Sequence, residues 1–311
     1  GIGNEVVPEG MKVLEAADIS IKAGGSHSQA LKDDGTLVGF GNNTNGRLGD
    51  GTTTVRYLPT AVSSLTAVVG VSSGDDHTLA LKGDGSVYAW GNNAYGQIGD
   101  GTTTARSSPT AITGVSSVSA VFAGDSFSLA LEQDGTISSW GRNGSGQLGN
   151  GTTTNSSSPV SVSSITTATA VAGGHQHALA LLADGTLRAW GYNFHGQLGD
   201  GTGTTRLTPV EVAGLDDVVA IGTGSLFSMA LKDDGTVWTW GGNSMGELGD
   251  GTTTPRSAPA QVSGLSDIVQ IAAGYNHALA MTSDGTVYAW GRNVDGQLGD
   301  GTTTTRLSPV E

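Results

Sequence analysis

The chain contains 311 residues, of which 51 are glycine and none is cysteine, and its formal net charge at pH 7 is −14. The lack of cysteine excludes disulfides and thiolate metal sites. The negative charge disfavours nucleic acid as a direct partner, because such a surface repels phosphates. No apolar run reaches the roughly 18 residues that a membrane-spanning helix needs, so we expect no membrane insertion.

A glycine-rich segment recurs through the whole chain at a constant spacing of 50 residues. The first copy covers residues 41–50 (GNNTNGRLGD), and the later copies begin at Gly91, Gly141, Gly191, Gly241 and Gly291. An aromatic residue stands directly before each copy: Phe40, Trp90, Trp140, Trp190, Trp240 and Trp290. Tandem copies of this length indicate a repeat architecture in which each copy forms one structural unit.

Within one copy the pattern predicts four strands and no helix. In the last copy, residues 268–274 and 277–281 read as the first two strands. Asp284 and Gly285 then suit a two-residue hairpin in which both turn positions have positive φ. A third strand is predicted over 286–291, and the stretch 297–310 supplies a more irregular fourth.

Four short antiparallel strands per copy describe one blade of a propeller, in which neighbouring blades cover each other's faces. We therefore predict an all-β fold, a β-propeller of six four-stranded blades, with residues 1–311 forming one domain. The copies run roughly over 13–62, 63–112, 113–162, 163–212, 213–262 and 263–311. The repeated tryptophans are expected to lie between blades. Residues 1–12 are expected to pair with the last blade and close the ring, because open sheet edges promote aggregation.

The stretches IAAGYNHALAM (271–281), DGTVYAWG (284–291) and GQLG (296–299) resemble the regulator of chromosome condensation (RCC1) repeat superfamily. The resemblance implies a propeller of the kind that has seven blades in that family, and it leaves a seven-bladed relative as the alternative. It also implies protein binding through one face of the ring. Members include an exchange factor for the GTPase Ran, ubiquitin-ligase modules and a secreted bacterial inhibitor of β-lactamases. The simple repeat looks most like bacterial extracellular members, so an extracellular or cell-surface location is expected.

Positions that stay constant among the copies are expected to serve the blade itself. They include the hairpins Asp34-Gly35, Asp84-Gly85, Asp134-Gly135, Asp184-Gly185, Asp234-Gly235 and Asp284-Gly285. One repeat position holds His27, His77, His177 and His277, with Phe127 and Phe227 in the other two copies. Since phenylalanine can neither ligate a metal nor transfer a proton, these histidines are predicted to be packed and hydrogen-bonded within their own blades.

An aspartate and an arginine recur six residues apart in five copies. The pairs are Asp50–Arg56, Asp100–Arg106, Asp200–Arg206, Asp250–Arg256 and Asp300–Arg306. The third copy has Asn150 and Ser156, so both charges are absent together. We predict a partly exposed ion pair in each long loop, worth about 0–1 kcal/mol. A calcium loop is the rival interpretation, and it is disfavoured because the alternating acidic ligand spacing is missing.

Positions that differ among the copies cluster in the turn between the first two strands and in the loop after the third. Because antiparallel strands reverse direction, both segments share one end of each blade, here called the variable end, and the hairpin lies at the other. Exposed aromatic residues are common anchors of binding interfaces. The candidate partner-binding residues are Asp75, Asp76, Tyr95, Asp125, His175, Tyr192, Phe194, His195, Met245 and Tyr275. Drift at unconstrained loop tips is the alternative explanation.

The sequence favours a non-enzymatic binding scaffold for a protein partner, with a glycan as an alternative ligand and self-association as a further expectation. It contains no recognisable Ser/His/Asp set and no phosphate-binding glycine loop between a strand and a helix. We accordingly expect no catalytic residues, no cofactor and no metal. A structural subunit of a bacterial cell-surface or filament assembly is the second hypothesis. An exchange-factor-like regulator is less favoured, because no copy departs from the 50-residue frame.

Overall fold

The computed structural model describes residues 20–311. These residues form 24 strands in six four-stranded sheets, which confirms the predicted all-β, six-bladed propeller class. Apart from a single 3₁₀ turn at Thr44–Gly46, the described part of the chain is strand, turn and loop. It includes no helix long and apolar enough to span a bilayer. The expected pairing of residues 1–12 with the last blade lies outside the described residues.

The chain divides into two compact units, residues 1–168 and 169–311. Three blades belong to the first unit. Blade 1 consists of β1 (Ser20–Ala23), β2 (His27–Leu31), β3 (Leu37–Gly41) and β4 (Arg56–Ala61). Blade 2 consists of β5 (Val68–Ser73), β6 (His77–Lys82), β7 (Val87–Gly91) and β8 (Arg106–Ala111). Blade 3 consists of β9 (Val118–Ala123), β10 (Phe127–Glu132), β11 (Ile137–Gly141) and β12 (Ser156–Ser161).

The other three blades belong to the second unit, whose first strand begins at the boundary. Blade 4 consists of β13 (Ala168–Gly173), β14 (His177–Leu182), β15 (Leu187–Gly191) and β16 (Arg206–Glu211). Blade 5 consists of β17 (Val218–Thr223), β18 (Phe227–Lys232), β19 (Val237–Gly241) and β20 (Arg256–Gln261). Blade 6 consists of β21 (Ile268–Ala273), β22 (His277–Thr282), β23 (Val287–Gly291) and β24 (Arg306–Val310).

Strand order in each blade follows chain order, and in blade 2 each neighbouring pair is antiparallel. In blade 2, His77 lies opposite Gly91 and Leu81 lies opposite Val87. The first five residues of β6 are all buried, although successive side chains of a strand point to opposite faces. Both faces of this central strand are therefore covered, as expected for a blade stacked between neighbours.

The repeated tryptophans join successive blades within each unit, as predicted. Trp90 is fully buried, and its Nε1 donates a hydrogen bond to the carbonyl oxygen of Arg47 in the preceding blade (3.0 Å). Trp140, Trp240 and Trp290 form the equivalent bonds. Gly49 has a φ of 74°, and a Cβ there would lie 2.7 Å from the Trp90 Nε1. Only glycine satisfies both the left-handed backbone and this close approach.

The hairpins occur where the Asp-Gly pairs predict them, but the expected two-residue turn is wrong. In blade 4 the Leu182 N–H donates to the Thr186 carbonyl (2.9 Å), which leaves three loop residues. Only the last of these, Gly185, has positive φ (78°). The loop is thus a tight turn followed by a left-handed glycine, the common three-residue hairpin. The Asp184 carboxylate accepts hydrogen bonds from the backbone N–H and the hydroxyl of Thr186, which explains the constant hydroxyl residue after Asp-Gly.

Candidate partner-binding surface

The turn between the first two strands and the segment after the third strand lie at the same end of each blade, as predicted. In blade 2, the Asn92 N–H donates to the Asp76 carbonyl oxygen (2.8 Å). In blade 4, the Tyr192 N–H bonds the Gln176 carbonyl in the same way (2.9 Å). The variable end is therefore held by backbone bonds that do not depend on the side chains. A blade can vary these side chains without losing the bonds.

In the first unit, the candidate residues Asp75, Asp76 and Asp125 occupy these turns and are partly exposed. The carboxylate of Asp76 is not a lone acid, because it lies 2.7 Å from Nη1 of Arg47 in the preceding blade. The same guanidinium group donates to the Ser26 hydroxyl (2.9 Å). Sequence reasoning missed Arg47. The available signal was an arginine at the repeat position that holds glutamine in four other copies and glutamate in one.

Tyr95, the aromatic candidate of the first unit, contacts a cation. The Arg142 guanidinium carbon lies 5.4 Å from the centre of the Tyr95 ring, within the range of cation–π attraction. Arg142 follows the third strand of the next blade in sequence, so the contact links the variable ends of blades 2 and 3. Tyr95 is still about two-fifths exposed (39%). Tyr95 therefore remains accessible to a partner beside a positive charge.

In the second unit, the candidate residues form three aromatic contacts. The His195 ring meets the Phe194 ring edge-on, with centroids 5.2 Å apart, and it meets the Tyr192 ring at 6.3 Å. The rings of His175 and Tyr275 also meet edge-on, at 6.4 Å. Exposure is high at the tips, where Phe194 is 73% and Tyr275 is 59% exposed. Edge-to-face aromatic pairs are favourable, and they limit the freedom of side chains that remain open to a partner.

Backbone hydrogen bonds connect the turns between the first two strands of blades 4, 5 and 6, one blade to the next. The His175 N–H donates to the Ser225 carbonyl (3.2 Å), and the Ser225 N–H donates to the Tyr275 carbonyl (2.9 Å). These bonds explain why His175 and Tyr275 meet although 100 residues separate them in the sequence. The sequence predicted that both lie at variable ends, but not that they touch.

In blades 2 to 6, a glutamine or glutamate side chain accepts a hydrogen bond from the backbone of the loop tip. In blade 4, Oε1 of Gln197 accepts a hydrogen bond from the His195 N–H (3.0 Å). In blade 5 the equivalent residue is Glu247, whose Oε2 accepts from the N–H of Met245 (2.8 Å). Burial raises the pKa of the Glu247 carboxyl above its usual value, partly offset by its backbone hydrogen bonds. This repeat position fixes the loop that carries Met245, and sequence reasoning missed it.

The predicted Asp–Arg pairs are confirmed in all five copies. In blade 4, Asp200 lies 2.7 Å from Arg206 and also accepts bonds from Asn193 and Thr202. The description as a partly exposed pair is wrong for the acid, since its side chain is only 6% exposed while that of the arginine is 35% exposed. Burial alone would raise the pKa of Asp200, but the bonds from Thr202 and Arg206 together hold it below its usual value.

The third copy shows that this loop forms without either charge. The Asn150 side-chain oxygen accepts from Asn143 and from both the N–H and the hydroxyl of Thr152. The amide oxygen thus replaces one carboxylate oxygen, and no arginine is needed to balance it. The loop geometry rests on the hydrogen bonds, while the ion pair compensates for burying a charge.

Three of the repeated histidines, His27, His77 and His177, are buried and hydrogen-bonded, as predicted, but their bonds join two blades rather than lying within one. His277 is only half-buried. Nε2 of His77 lies 2.9 Å from the hydroxyl of Ser128, which is 51 residues later and belongs to blade 3. That hydroxyl donates to the Gln97 carbonyl (2.8 Å), so the Nε2–H of His77 must be the donor in the first bond. His27–Thr78 and His177–Ser228 repeat the arrangement.

In the two copies that have phenylalanine, the position 51 residues later holds alanine instead of serine or threonine. Phe227 and Ala278, again 51 residues apart, lie in one hydrophobic cluster of the second unit. Phe127 is likewise followed 51 residues later by Ala178. Histidine therefore occurs with a hydroxyl and phenylalanine with a methyl group. This matched exchange is readable in the sequence when the two positions are compared together, and the histidine position alone does not reveal it.

Known protein families match most of the chain. Residues 114–311 match the model of the RCC1-like domain. Residues 34–81 and 84–131 match one model of the RCC1 repeat, and residues 19–47 and 68–97 match a second. A comparison with curated proteins found no match.

Solved structures with the same fold include human and yeast proteins. Human WBSCR16 is 27% identical, with a TM-score of 0.83 over 96% of this chain and 83% of its own. Yeast RCC1 (Prp20), solved bound to Kap60, is 24% identical, with a TM-score of 0.83 over 94% of this chain and 74% of its own. Prp20p from Saccharomyces cerevisiae, described with its binding to Gsp1p and histones, has a TM-score of 0.82 at 24% identity, over 94% of this chain and 76% of its own. At 24% identity the likeness shows the fold alone.

Proposed function

Because the chain belongs to the RCC1-like domain family, we propose that it is a non-enzymatic scaffold that binds a protein partner through the variable ends of its blades. The observation that carries the proposal is two of the aromatic contacts in the second unit, Phe194 with His195 and Tyr275 with His175. Phe194 and Tyr275 are largely exposed, yet each is oriented by a neighbouring ring. Exposed and pre-oriented aromatic side chains provide contact area at low entropic cost, which suits an interface.

The charges at the variable ends indicate the chemistry of the partner. Asp75 and Asp125 lie there in the first unit, beside Asp76, whose charge Arg47 offsets, and the formal net charge of the chain is −14. A basic contact surface would complement the acidic side chains of the first unit, and an exposed apolar side chain would complement the aromatic residues of the second. Complementary charge mainly speeds association and selects partners, while the aromatic residues contribute more of the affinity. A glycan is the alternative ligand, since aromatic rings also stack on sugars.

Affinity capture from the native proteome tests the proposal. The bait is the full chain, compared with a variant carrying Phe194→Ala and Tyr275→Ser. The matched control is Tyr57→Ser, because Tyr57 is an aromatic residue on β4, 92% exposed, and the equivalent residue of the next copy is Ser107. We expect the same proteins to bind the native chain and the control, and the double variant to lose them. Equal capture by all three baits would refute binding through these ends.

Two narrower proposals follow from the resemblance of the repeats. We infer an extracellular or cell-surface location, which fractionation of the native host would test.

Exchange-factor activity is the less favoured role, because no blade carries an insertion beyond the 50-residue frame. It would be supported if the chain accelerated nucleotide release from a small GTPase. A structural role predicts instead that the purified chain assembles into filaments visible by electron microscopy.

A further inference from the structure

One acidic side chain at the variable ends of the second unit has no cationic partner among the described residues. Glu247 occupies the repeat position that holds glutamine in blades 2, 3, 4 and 6, and it is only 4% exposed. None of the ion pairs in residues 20–311 includes it. Arg292, a cation at the variable end of blade 6, pairs with Asp295 instead (2.9 Å). Glu247 is therefore a buried acid whose charge the described chain does not balance, an arrangement that normally costs stability.

The loop itself does not need a charge at this position. In blade 4, the amide oxygen of Gln197 accepts the His195 N–H (3.0 Å), just as Glu247 accepts the Met245 N–H (2.8 Å). The remaining amide nitrogen of Gln197 is buried and has no hydrogen-bond partner in the described part of the chain. The second polar atom of this side chain is thus not used to hold the loop. In blade 5 that atom is a carboxylate oxygen.

Blade 1 shows where a charged group at this repeat position is directed. Arg47 replaces the glutamine there, and its guanidinium group pairs with Asp76 in the turn of the next blade (2.7 Å). The arginine side chain is 7% exposed and the aspartate side chain is 40% exposed, so the pair joins a buried position to the surface. A charge at this position can therefore meet an opposite charge at the variable end of the following blade.

In the second unit, the corresponding surface lies at the junction of blades 5 and 6. The Ser225 N–H donates to the Tyr275 carbonyl (2.9 Å), which joins the turns of the two blades. The turn of blade 6 has the uncharged Asn276 where blade 2 has an aspartate. Its neighbour Tyr275 is 59% exposed, and Met245 at the loop tip of blade 5 is 40% exposed. The junction thus combines the recessed carboxylate of Glu247 with exposed apolar side chains.

We propose that this junction binds a lysine side chain of the partner, with the ammonium group paired to Glu247 and the stem lying against Met245 and Tyr275. This lysine site rests on the proposed function, because it names the chemistry of a partner at the same surface. A long unbranched stem reaches a recessed acid while its methylenes cover apolar surface, and an aromatic ring attracts the cation. One carboxylate oxygen is already bonded to the Met245 N–H, which leaves the other for a point charge; the fork of an arginine engages both oxygens.

Nuclear magnetic resonance of the methionine methyl groups tests the lysine site without any partner. The full chain is titrated with n-butylammonium, which reproduces the lysine side chain, and the Met245 methyl signal is followed. The comparison ligands are 1-butanol, which has the stem without the charge, and n-propylguanidinium, which reproduces arginine. We expect a saturable shift with n-butylammonium and at least about tenfold weaker binding of 1-butanol, because a hydrogen bond to a charged group contributes more than a neutral one. The guanidinium should bind more weakly than the ammonium.

Two variants separate the site from the general charge of the chain. Glu247→Gln introduces the residue that four other blades have, so the thermal midpoint should stay the same or rise, while n-butylammonium should bind at least about tenfold more weakly. Glu247→Gln combined with Gln197→Glu keeps the net charge but moves the acid to blade 4, and the Met245 signal should again lose its response. Undiminished binding in either variant would overturn the proposal. So would binding of 1-butanol or n-propylguanidinium as tight as that of n-butylammonium.

The titration and the capture experiment can fail separately. If the native chain captures proteins that the variant with Phe194→Ala and Tyr275→Ser loses, but n-butylammonium does not bind, the scaffold function stands and the lysine site is wrong. If n-butylammonium binds but a Glu247→Gln bait captures the same proteins as the native chain, the partner does not use the site and the proposal is overturned. Loss of those proteins from the Glu247→Gln bait is the expected result.

Discussion

His77, the buried histidine that joins blades 2 and 3, makes the free energy of unfolding depend on pH. Two other copies have phenylalanine at this repeat position, and that exchange provides the variant that tests the dependence. Burial, with a further contribution from the nearby His27, lowers the pKa of His77 to about 3. An unfolded histidine has a pKa of about 6.5. The folded pKa is depressed, so the stabilisation is fully present above pH 6.5 and is lost as pH falls from there towards 3.

The size of the effect follows from proton linkage. Between pH 7.5 and 5 the unfolded imidazole gains nearly one proton while the folded one stays neutral, which lowers the free energy of unfolding by about 2 kcal/mol. Burial likewise lowers the pKa of His27 to about 4 and that of His177 to about 3. Together the three histidines should account for about 6 kcal/mol over this range. The range ends above the usual pKa of carboxyl groups, about 4, so aspartates contribute little.

The variant His77→Phe with Ser128→Ala copies the pair that Phe227 and Ala278 form in the second unit. Urea unfolding at pH 7.5 and 5 should show that the variant loses about 2 kcal/mol less stability than the native chain. Ser128→Ala alone is the control, because it weakens the chain but keeps the titrating imidazole and therefore the native pH dependence. If the double variant shows the native pH dependence, the imidazole is not buried in its neutral form and the reasoning fails.

Three further predictions concern the loops. Replacing Arg206 by Ser should lower the free energy of unfolding, measured in urea, by about 1–2 kcal/mol, because the buried Asp200 loses its counter-charge. Adding Asp200→Asn, the residue that the third copy has at this position, should restore most of the loss. Phe194→Ala should change that free energy by less than about 0.5 kcal/mol, and a larger loss would place the ring in the core. Gly249→Ala, where the new Cβ would lie 2.9 Å from the Trp290 Nε1, should lower the thermal midpoint more than Gly201→Ala, where no described atom beyond the adjoining residues lies within 4 Å of the new Cβ. Equal losses would mean that only the left-handed backbone matters.

The strands and their order were predictable from the sequence, because the same succession of strand and turn residues recurs six times at a constant spacing. The position of the hairpin was predicted correctly, but its geometry was not. An Asp-Gly pair fits both a two-residue turn and the last two positions of a three-residue loop. The choice depends on how the residue before Asp184 continues the strand, and that depends on pairing across the sheet.

The candidate surface was predicted as a set of positions and not as a set of contacts. Strand direction alone places His175 and Tyr275 at the same ends of their blades. Their contact depends on the line of backbone bonds through Ser225, which joins three blades and has no signature within any one copy. The Arg47–Asp76 pair was missed for the same reason, since it joins different blades.

Photo-crosslinking at two positions of one blade tests the central claim most directly. A benzophenone side chain replaces Phe194 at the variable end of blade 4 in one version of the chain and Asp184 at the hairpin end in another; both positions are exposed. In native extract, we predict partner adducts from position 194 and none from position 184. Adducts formed from position 184 alone, or equally from both, would contradict recognition through the variable ends.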